Sequence, residues 1–316
     1  MLGCLVCAAL FPAAALAQVA RVEMHTVNSV TLTDQQFLTG NREGTPVTLA
    51  GELRLPRLGA ERLPAVILMH GSAGVTGRID AWAHWLNDLG LATFLLDFFT
   101  GRGLVNLSAD QGRLGRLNPI VDSYRALELL SRHGRVDPQR IAIIGFSRGG
   151  NAALYASVKR FERMHLVPGL RFAAYISFYP SCNVTYIDGD DVAEQPIRIF
   201  HGAMDDFAPP APCRPYVARL QKAGRNIHHT EYPGAHHAFD SPAIKTPVTF
   251  PQSQTSRRCV IEEIEVGRII NSVTKQPFTY QDPCVERGPT LGYNEAAYQE
   301  SLKSVRELVT SVLKPN

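Results

Sequence analysis

Apolar and polar positions along the chain fall into short runs with two different periods. Residues 46–55 alternate, with Val47, Leu49, Gly51, Leu53 and Leu55 on one face, which predicts a strand. Residues 22–32 predict another, and the two read as the antiparallel opening of a mixed sheet. Residues 64–70, 91–96, 141–144, 172–178 and 196–200 are mostly apolar runs, as expected of strands covered on both faces. Residues 226–232 predict the last strand. Helices are predicted over 78–89, 118–133, 151–159 and 213–223, and an amphipathic helix over 294–313 closes the chain. In the helix over 118–133, Ile120, Tyr124, Ala126, Leu127 and Leu130 supply the apolar side. Strand and helix alternate throughout, which predicts an α/β fold with a mostly parallel central sheet.

One stretch breaks this rhythm. Residues 240–290 are polar, lack a clear period and hold two cysteines. The stretch is too long for a simple connection. It is expected to be a surface insertion within a single domain spanning residues 18–316, which carries no internal repeat.

The 316-residue chain is 45% hydrophobic and 19% charged, a globular balance that supports a well-buried core. Its net charge of +3 is too small to argue for nucleic acid or an anionic membrane as a partner. The N-terminus changes the picture. Residues 1–17 are almost purely apolar and end in Ala15-Leu16-Ala17, a small-x-small cleavage pattern, although no basic residue precedes the apolar run. Read as a signal peptide, this segment makes the mature protein exported, periplasmic or secreted, with no membrane span left behind.

Its removal takes Cys4 and Cys7 and leaves Cys182, Cys213, Cys259 and Cys284. An even number in an exported chain predicts two disulfides, for which three pairings exist. The expected pairs are Cys182–Cys213 and Cys259–Cys284. The first two each follow a strand of the same sheet, and the other two bracket the insertion. No Cys-x-x-Cys pair survives to hold zinc.

The chemistry concentrates at Gly145-Phe146-Ser147-Arg148-Gly149, between the strand over 141–144 and the helix that follows. Strand, sharp turn and helix around a serine form the context of a nucleophile elbow. The glycines let strand and helix close on each other and lift the hydroxyl to the top of the sheet. A serine hydroxyl needs a base within hydrogen-bond reach, and the base needs an orienting acid. Later strands supply both in that chain order. Asp205-Asp206 follows the strand over 196–200, and His236-His237 follows the strand over 226–232. Order and residue type leave open which member of each pair serves.

A tetrahedral intermediate also needs two backbone N–H groups facing its oxyanion. The candidates are Arg148, directly after the serine, and Ser72 in the His70-Gly71-Ser72-Ala73 loop, with Ala73 next. The Arg148 guanidinium has two readings, a partner for a substrate carboxylate or an ion pair with Asp97 or another acid. Arg102 carries the same ambiguity. Trp82 and Trp85 share one helix face and either pack on the sheet or wall the substrate. His201 reads as a packed strand-end histidine. His228 and His229 point to opposite faces of a strand and make a poor metal pair. No phosphate loop or cofactor motif is present, so no cofactor or metal is expected.

Three segments carry a resemblance: Gly145-Phe146-Ser147-Arg148-Gly149-Gly150, the run from His201-Gly202 to Ala208-Pro209, and Ala235-His236-His237-Ala238-Phe239. Together with Asp97-Phe98-Phe99 they resemble the dienelactone hydrolase family of α/β-hydrolases, from about residue 45 to the C-terminus apart from the insertion. The resemblance implies the α/β-hydrolase fold and a choice within each pair. In that family the acid is followed three or four residues later by Val/Thr/Ala-Pro, which matches Asp205 with Ala208-Pro209. The base is followed two residues later by Phe, which matches His237 with Phe239. The namesake enzymes carry a cysteine nucleophile where this chain has Ser147, a departure that favours general ester hydrolysis. The expectation is a serine hydrolase that cleaves a small-molecule carboxylic ester or lactone through an acyl-enzyme, using Ser147, His237 and Asp205. A peptidase or amidase on the same scaffold, and a catalytically silent binding protein, are the alternatives. The insertion, pinned by Cys259–Cys284, is expected close to the catalytic face, where it and the loops after residues 97 and 182 set specificity.

Overall fold

The computed structural model of the protein describes residues 19–314, and the predicted signal segment lies outside the described residues. In chain order the elements are β1 (Arg21–Thr31), α1 (Asp34–Thr39), β2 (Thr45–Leu55), β3 (Leu63–Met69), α2 (Gly77–Asp88), β4 (Ala92–Asp97), α3 (Asn118–Ser131) and β5 (Val136–Phe146). Then come α4 (Arg148–Tyr155), α5 (Lys159–His165), β6 (Tyr175–Phe178), β7 (Val184–Thr185), β8 (Ile197–Gly202), α6 (Cys213–Lys222) and β9 (Ile227–Tyr232).

The main sheet runs β1-β2-β4-β3-β5-β6-β8-β9. β2 is antiparallel to both β1 and β4, and every other pairing is parallel. The predicted mixed opening and parallel centre are both present. Successive residues of β3 feed opposite layers. Ile67 joins a core with Phe94, Tyr124 and Phe161, while Val66 and Leu68 join one with Trp82, Ile144 and Val305. A strand covered on both faces has no polar side to show, so its sequence is apolar without alternation.

The sequence reading misses two helices. α1 is six residues long, and a Thr33–Gln36 capping box with Gly40 at φ 72° closes it locally. The helix expected over 151–159 begins earlier and divides. α4 starts at Arg148, directly after the elbow. The chain then leaves helical geometry at Val158, with ψ at 116°, before α5. The β-branched Val158 instead bridges to Val192.

The insertion is built from short strands: β10 (Val248–Thr249), β11 (Gln254–Thr255), β12 (Ile261–Glu265), β13 (Arg268–Asn271), β14 (Glu286–Arg287) and β15 (Thr290–Leu291). β12 pairs with β13 and, in parallel, with β7, which docks the insertion beside the segment following β6. Both expected disulfides are formed, Cys182–Cys213 and Cys259–Cys284. Helix α7 (Glu295–Leu313), capped by the Asn294 side chain, lays Val305, Val309 and Leu313 on the core and returns the chain to the sheet. Among the described residues no helix is long and apolar enough to cross a membrane.

Candidate active site

The parallel strands end along one edge of the sheet, and the loops leaving β3, β5, β6, β8 and β9 meet there. The turn between β5 and α4 is the tightest. A Cβ on Gly145 would lie 1.9 Å from the Gly149 carbonyl oxygen, and one on Gly149 would lie 2.1 Å from that of Met69. No side chain fits at either place. The closure forces Ser147 to φ 56° and ψ −113°, a strained backbone for any residue with a Cβ. Two backbone bonds hold it. Ser147 N–H donates to the Phe178 carbonyl at 2.9 Å, and Asn151 N–H donates to the Ser147 carbonyl at 2.8 Å.

His237 and Asp205 converge on that serine. His237 Nδ1 lies 2.7 Å from Asp205 Oδ2, and His237 Nε2 lies 2.9 Å from Ser147 Oγ. A carboxylate can only accept, so the imidazole proton sits on Nδ1. Nε2 then offers its lone pair to the serine hydroxyl. The other carboxylate oxygen, Oδ1, accepts the Phe207 and Ala208 N–H groups, each at 2.9 Å. Both side chains are buried, which keeps the pair out of competing water. The imidazole is clamped between the Phe207 ring at 4.6 Å and the Tyr179 ring at 4.5 Å.

The neighbouring members of each pair are engaged elsewhere. Asp206 accepts from Thr290 N–H at 2.7 Å and from Arg257 at 3.2 Å, which ties the loop after β8 to the insertion. His236 bonds neither Asp205 nor Ser147, and its Nδ1 is buried with no hydrogen-bond partner among the described residues.

A second histidine steadies the acid loop. Burial pushes His201 down to about 3, so it is neutral at physiological pH. Its Nε2–H donates to the Ala208 carbonyl at 3.1 Å, and its Nδ1 accepts from His229 Nε2 at 3.1 Å. Tyr179 is likewise kept protonated, because burial raises it well above the usual phenol range. Its hydroxyl bonds Asp240 Oδ1 and Arg78 Nη1, each at 2.6 Å.

The loop after β3 lies against the elbow. A Cβ on Gly71 would be 3.4 Å from Ser147 Cβ, and Ser72 lines the same cleft as Ser147. The Arg148 N–H is the first of α4 and has no carbonyl one turn back to bond.

Of the two sequence readings for Arg102, Trp82, Trp85 and Arg148, the structure takes the packed or internally bonded one. Arg102 is turned inward, with Nη1 and Nη2 on Asp122 at 2.8 and 3.0 Å and Nε on Thr31 at 2.8 Å. Trp82 is fully buried, with its Nε1–H on Asp240 at 2.8 Å and its ring against Phe178, while Trp85 packs beside it under Arg306. The Arg148 guanidinium meets neither Asp97 nor open space. It donates to the Leu114 carbonyl at 2.9 Å, the Gln111 carbonyl at 2.7 Å and Gln111 Oε1 at 2.8 Å. For Arg102, Trp82 and the Arg148 Nη atoms, a partner 20 or more positions away, invisible in local pattern, takes up a group that looked available.

Sequence reasoning also misses much of the cleft wall. Gln111 comes from the polar stretch before α3, Asn151 from α4, and Gln254 and Tyr280 from the insertion. Free space at Ser147 is about 30 Å³, and an adjoining cavity of about 450 Å³ shares Arg116 and Tyr280 with it. One group outside the cleft has the spacing for a metal ion. Glu23 Oε2 lies 3.1 Å from Nε2 of both His25 and His133. His133 Nδ1 accepts the Arg135 N–H at 3.2 Å, however, which leaves the proton on Nε2 and suits a hydrogen bond to the carboxylate rather than a ligand lone pair.

Residues 51–259 match the family model described as the dienelactone hydrolase family. Among solved structures, a dienelactone hydrolase-like promiscuous phosphotriesterase from metagenomic libraries is 16% identical, with a TM-score of 0.60, covering 92% of this chain and 98% of its own. Esterase 2 of Thermogutta terrifontis, solved phosphoramylated by tabun, is 16% identical with a TM-score of 0.58, covering 93% and 96%. At these identities the likeness is one of fold.

Proposed function

The chain belongs to the dienelactone hydrolase family, whose fold is the α/β-hydrolase fold, and from this premise we propose a serine hydrolase that cleaves a carboxylic ester or lactone. The observation that carries the reading is the unbroken hydrogen-bond line from Ser147 Oγ through His237 to Asp205. Ser147 attacks the carbonyl while His237 Nε2 takes its proton. The Asp205 carboxylate holds the tautomer and stabilises the imidazolium that forms. The Arg148 and Ser72 amides receive the oxyanion. His237 then returns the proton to the leaving alcohol, and water repeats the cycle on the acyl-enzyme. The strained serine backbone supports this assignment, because such strain clusters at sites of function. The two disulfides fit an oxidising compartment, which supports export.

The test is hydrolysis of p-nitrophenyl acetate by the wild type and by Ser147→Ala. The variant should lose at least ~10⁴-fold in kcat. Undiminished turnover would end the proposal.

A further inference from the structure

We propose that the cleft at Ser147 selects esters bearing a further hydrogen-bond-accepting oxygen close to the scissile carbonyl, a specificity that rests on the hydrolase reading above. Three amide side chains stand in the cleft wall, Gln111, Asn151 and Gln254. Each has its oxygen committed. Gln111 Oε1 accepts from Ser72 Oγ and from Arg148 Nη2, both at 2.8 Å. Gln254 Oε1 accepts the Gln111 backbone N–H at 2.9 Å. Asn151 Oδ1 accepts the Ser181 N–H at 2.6 Å.

A guanidinium and a backbone N–H can only donate. Turning any of these amides over would set donor against donor, so their orientation is fixed by chemistry. What remains is a set of amide nitrogens, Gln111 Nε2, Asn151 Nδ2 and Gln254 Nε2, with no protein acceptor among the described residues and still solvent-accessible. Arg116, where the cleft opens into the larger cavity, adds to the set. Its guanidinium makes one hydrogen bond, to Tyr280 Oη at 3.3 Å, lies over the Phe278 ring at 5.0 Å, and is attracted by Asp34 in the same cavity.

The cleft wall therefore offers these unmatched donors beside the hydroxyls of Ser181, Ser256 and Tyr280, while Asp34 and Asp110 line the larger cavity. An alkyl group entering the cleft would displace water and leave those donors unmatched, whereas a ketone, ether or carboxylate oxygen would meet them. The space beside Ser147 is narrow, about 30 Å³ against about 450 Å³ in the adjoining cavity. The group next to the scissile carbonyl is accordingly small, and the rest of the molecule extends past Arg116 into the 450 Å³ cavity.

The experiment compares methyl pentanoate, methyl 4-oxopentanoate and monomethyl succinate, with acid release followed at constant pH. The wild type should favour at least one oxygenated ester over the pentanoate by tenfold or more in kcat/KM. The larger gain tells whether a neutral or a charged acceptor is preferred. Gln254→Glu and Asn151→Asp keep the accepting oxygen and lose the donor, so the ratio of 4-oxopentanoate to pentanoate should fall toward one. Equal kcat/KM for all three esters, or a ratio unmoved in both variants, would overturn the inference while leaving the hydrolase reading intact. If the wild type cleaves none of the three but still turns over p-nitrophenyl acetate, the inference fails alone; if it turns over neither, the hydrolase reading fails and the inference falls with it.

Discussion

At the scale of single residues, two adjacent carboxylates make opposite predictions. Asp205 bonds the imidazole and two backbone amides, whereas Asp206 bonds Thr290 and Arg257. Asp205→Asn should lower kcat by about 10⁴-fold through the wrong imidazole tautomer. Asp206→Asn keeps an oxygen for the Thr290 N–H and should stay within about tenfold of wild type, a small change on the ~10⁴ scale of triad loss. Steady-state kinetics of the two variants checks this, and equal losses would contradict it. Which carboxylate meets which imidazole was legible through the family resemblance, because Ala208-Pro209 and Phe239 stand at the spacing of the family pattern. The fates of Arg102, Arg148 and Trp82 were not. Their partners Asp122, Gln111 and Asp240 lie 20, 37 and 158 positions away, and no local period records such a contact.

At the scale of elements, the elbow is a steric object before it is a chemical one. Gly145→Ala would place a methyl group 1.9 Å from the Gly149 carbonyl oxygen, with backbone on both sides and nowhere to relax. The expected cost is about 3 kcal/mol, read as a fall in Tm by calorimetry. An unchanged Tm would mean that strand and helix are not packed as described. The long strands and α7 were readable because burial imposes a period over many residues. The internal strands of the insertion were not, because they are two to five residues long. A two-residue strand carries no period, and this is why the sequence places the insertion near the cleft without naming Gln254 and Tyr280 as the residues that reach it.

At the scale of the whole molecule, a parallel sheet gathers at one edge three groups that lie 32 and 90 positions apart in pairs. The same burial that orders this edge gives the fold an acid weakness. His201 is pushed down to about 3 and His165 to about 4, in both cases chiefly by burial, from an ordinary value of 6.5. Both are neutral when folded and gain a proton on unfolding below that value. The unfolded state therefore binds more protons, and stability falls as pH drops from about 6.5 toward 4 and then 3. Each histidine contributes a slope approaching about 1.4 kcal/mol per pH unit in that window and none above it. Urea unfolding of wild type and His201→Gln at a series of pH values between 7 and 4 should show a flatter acid limb in the variant. Parallel curves would contradict the buried neutral assignment.

Reaction with diisopropyl fluorophosphate reaches the central claim most directly, since it reports an activated serine whatever the natural substrate. Peptide mapping by mass spectrometry should find one adduct per chain, on Ser147, and His237→Ala should abolish it. A protein that stays unmodified, or one labelled at another residue while Ser147 remains free, would contradict the account.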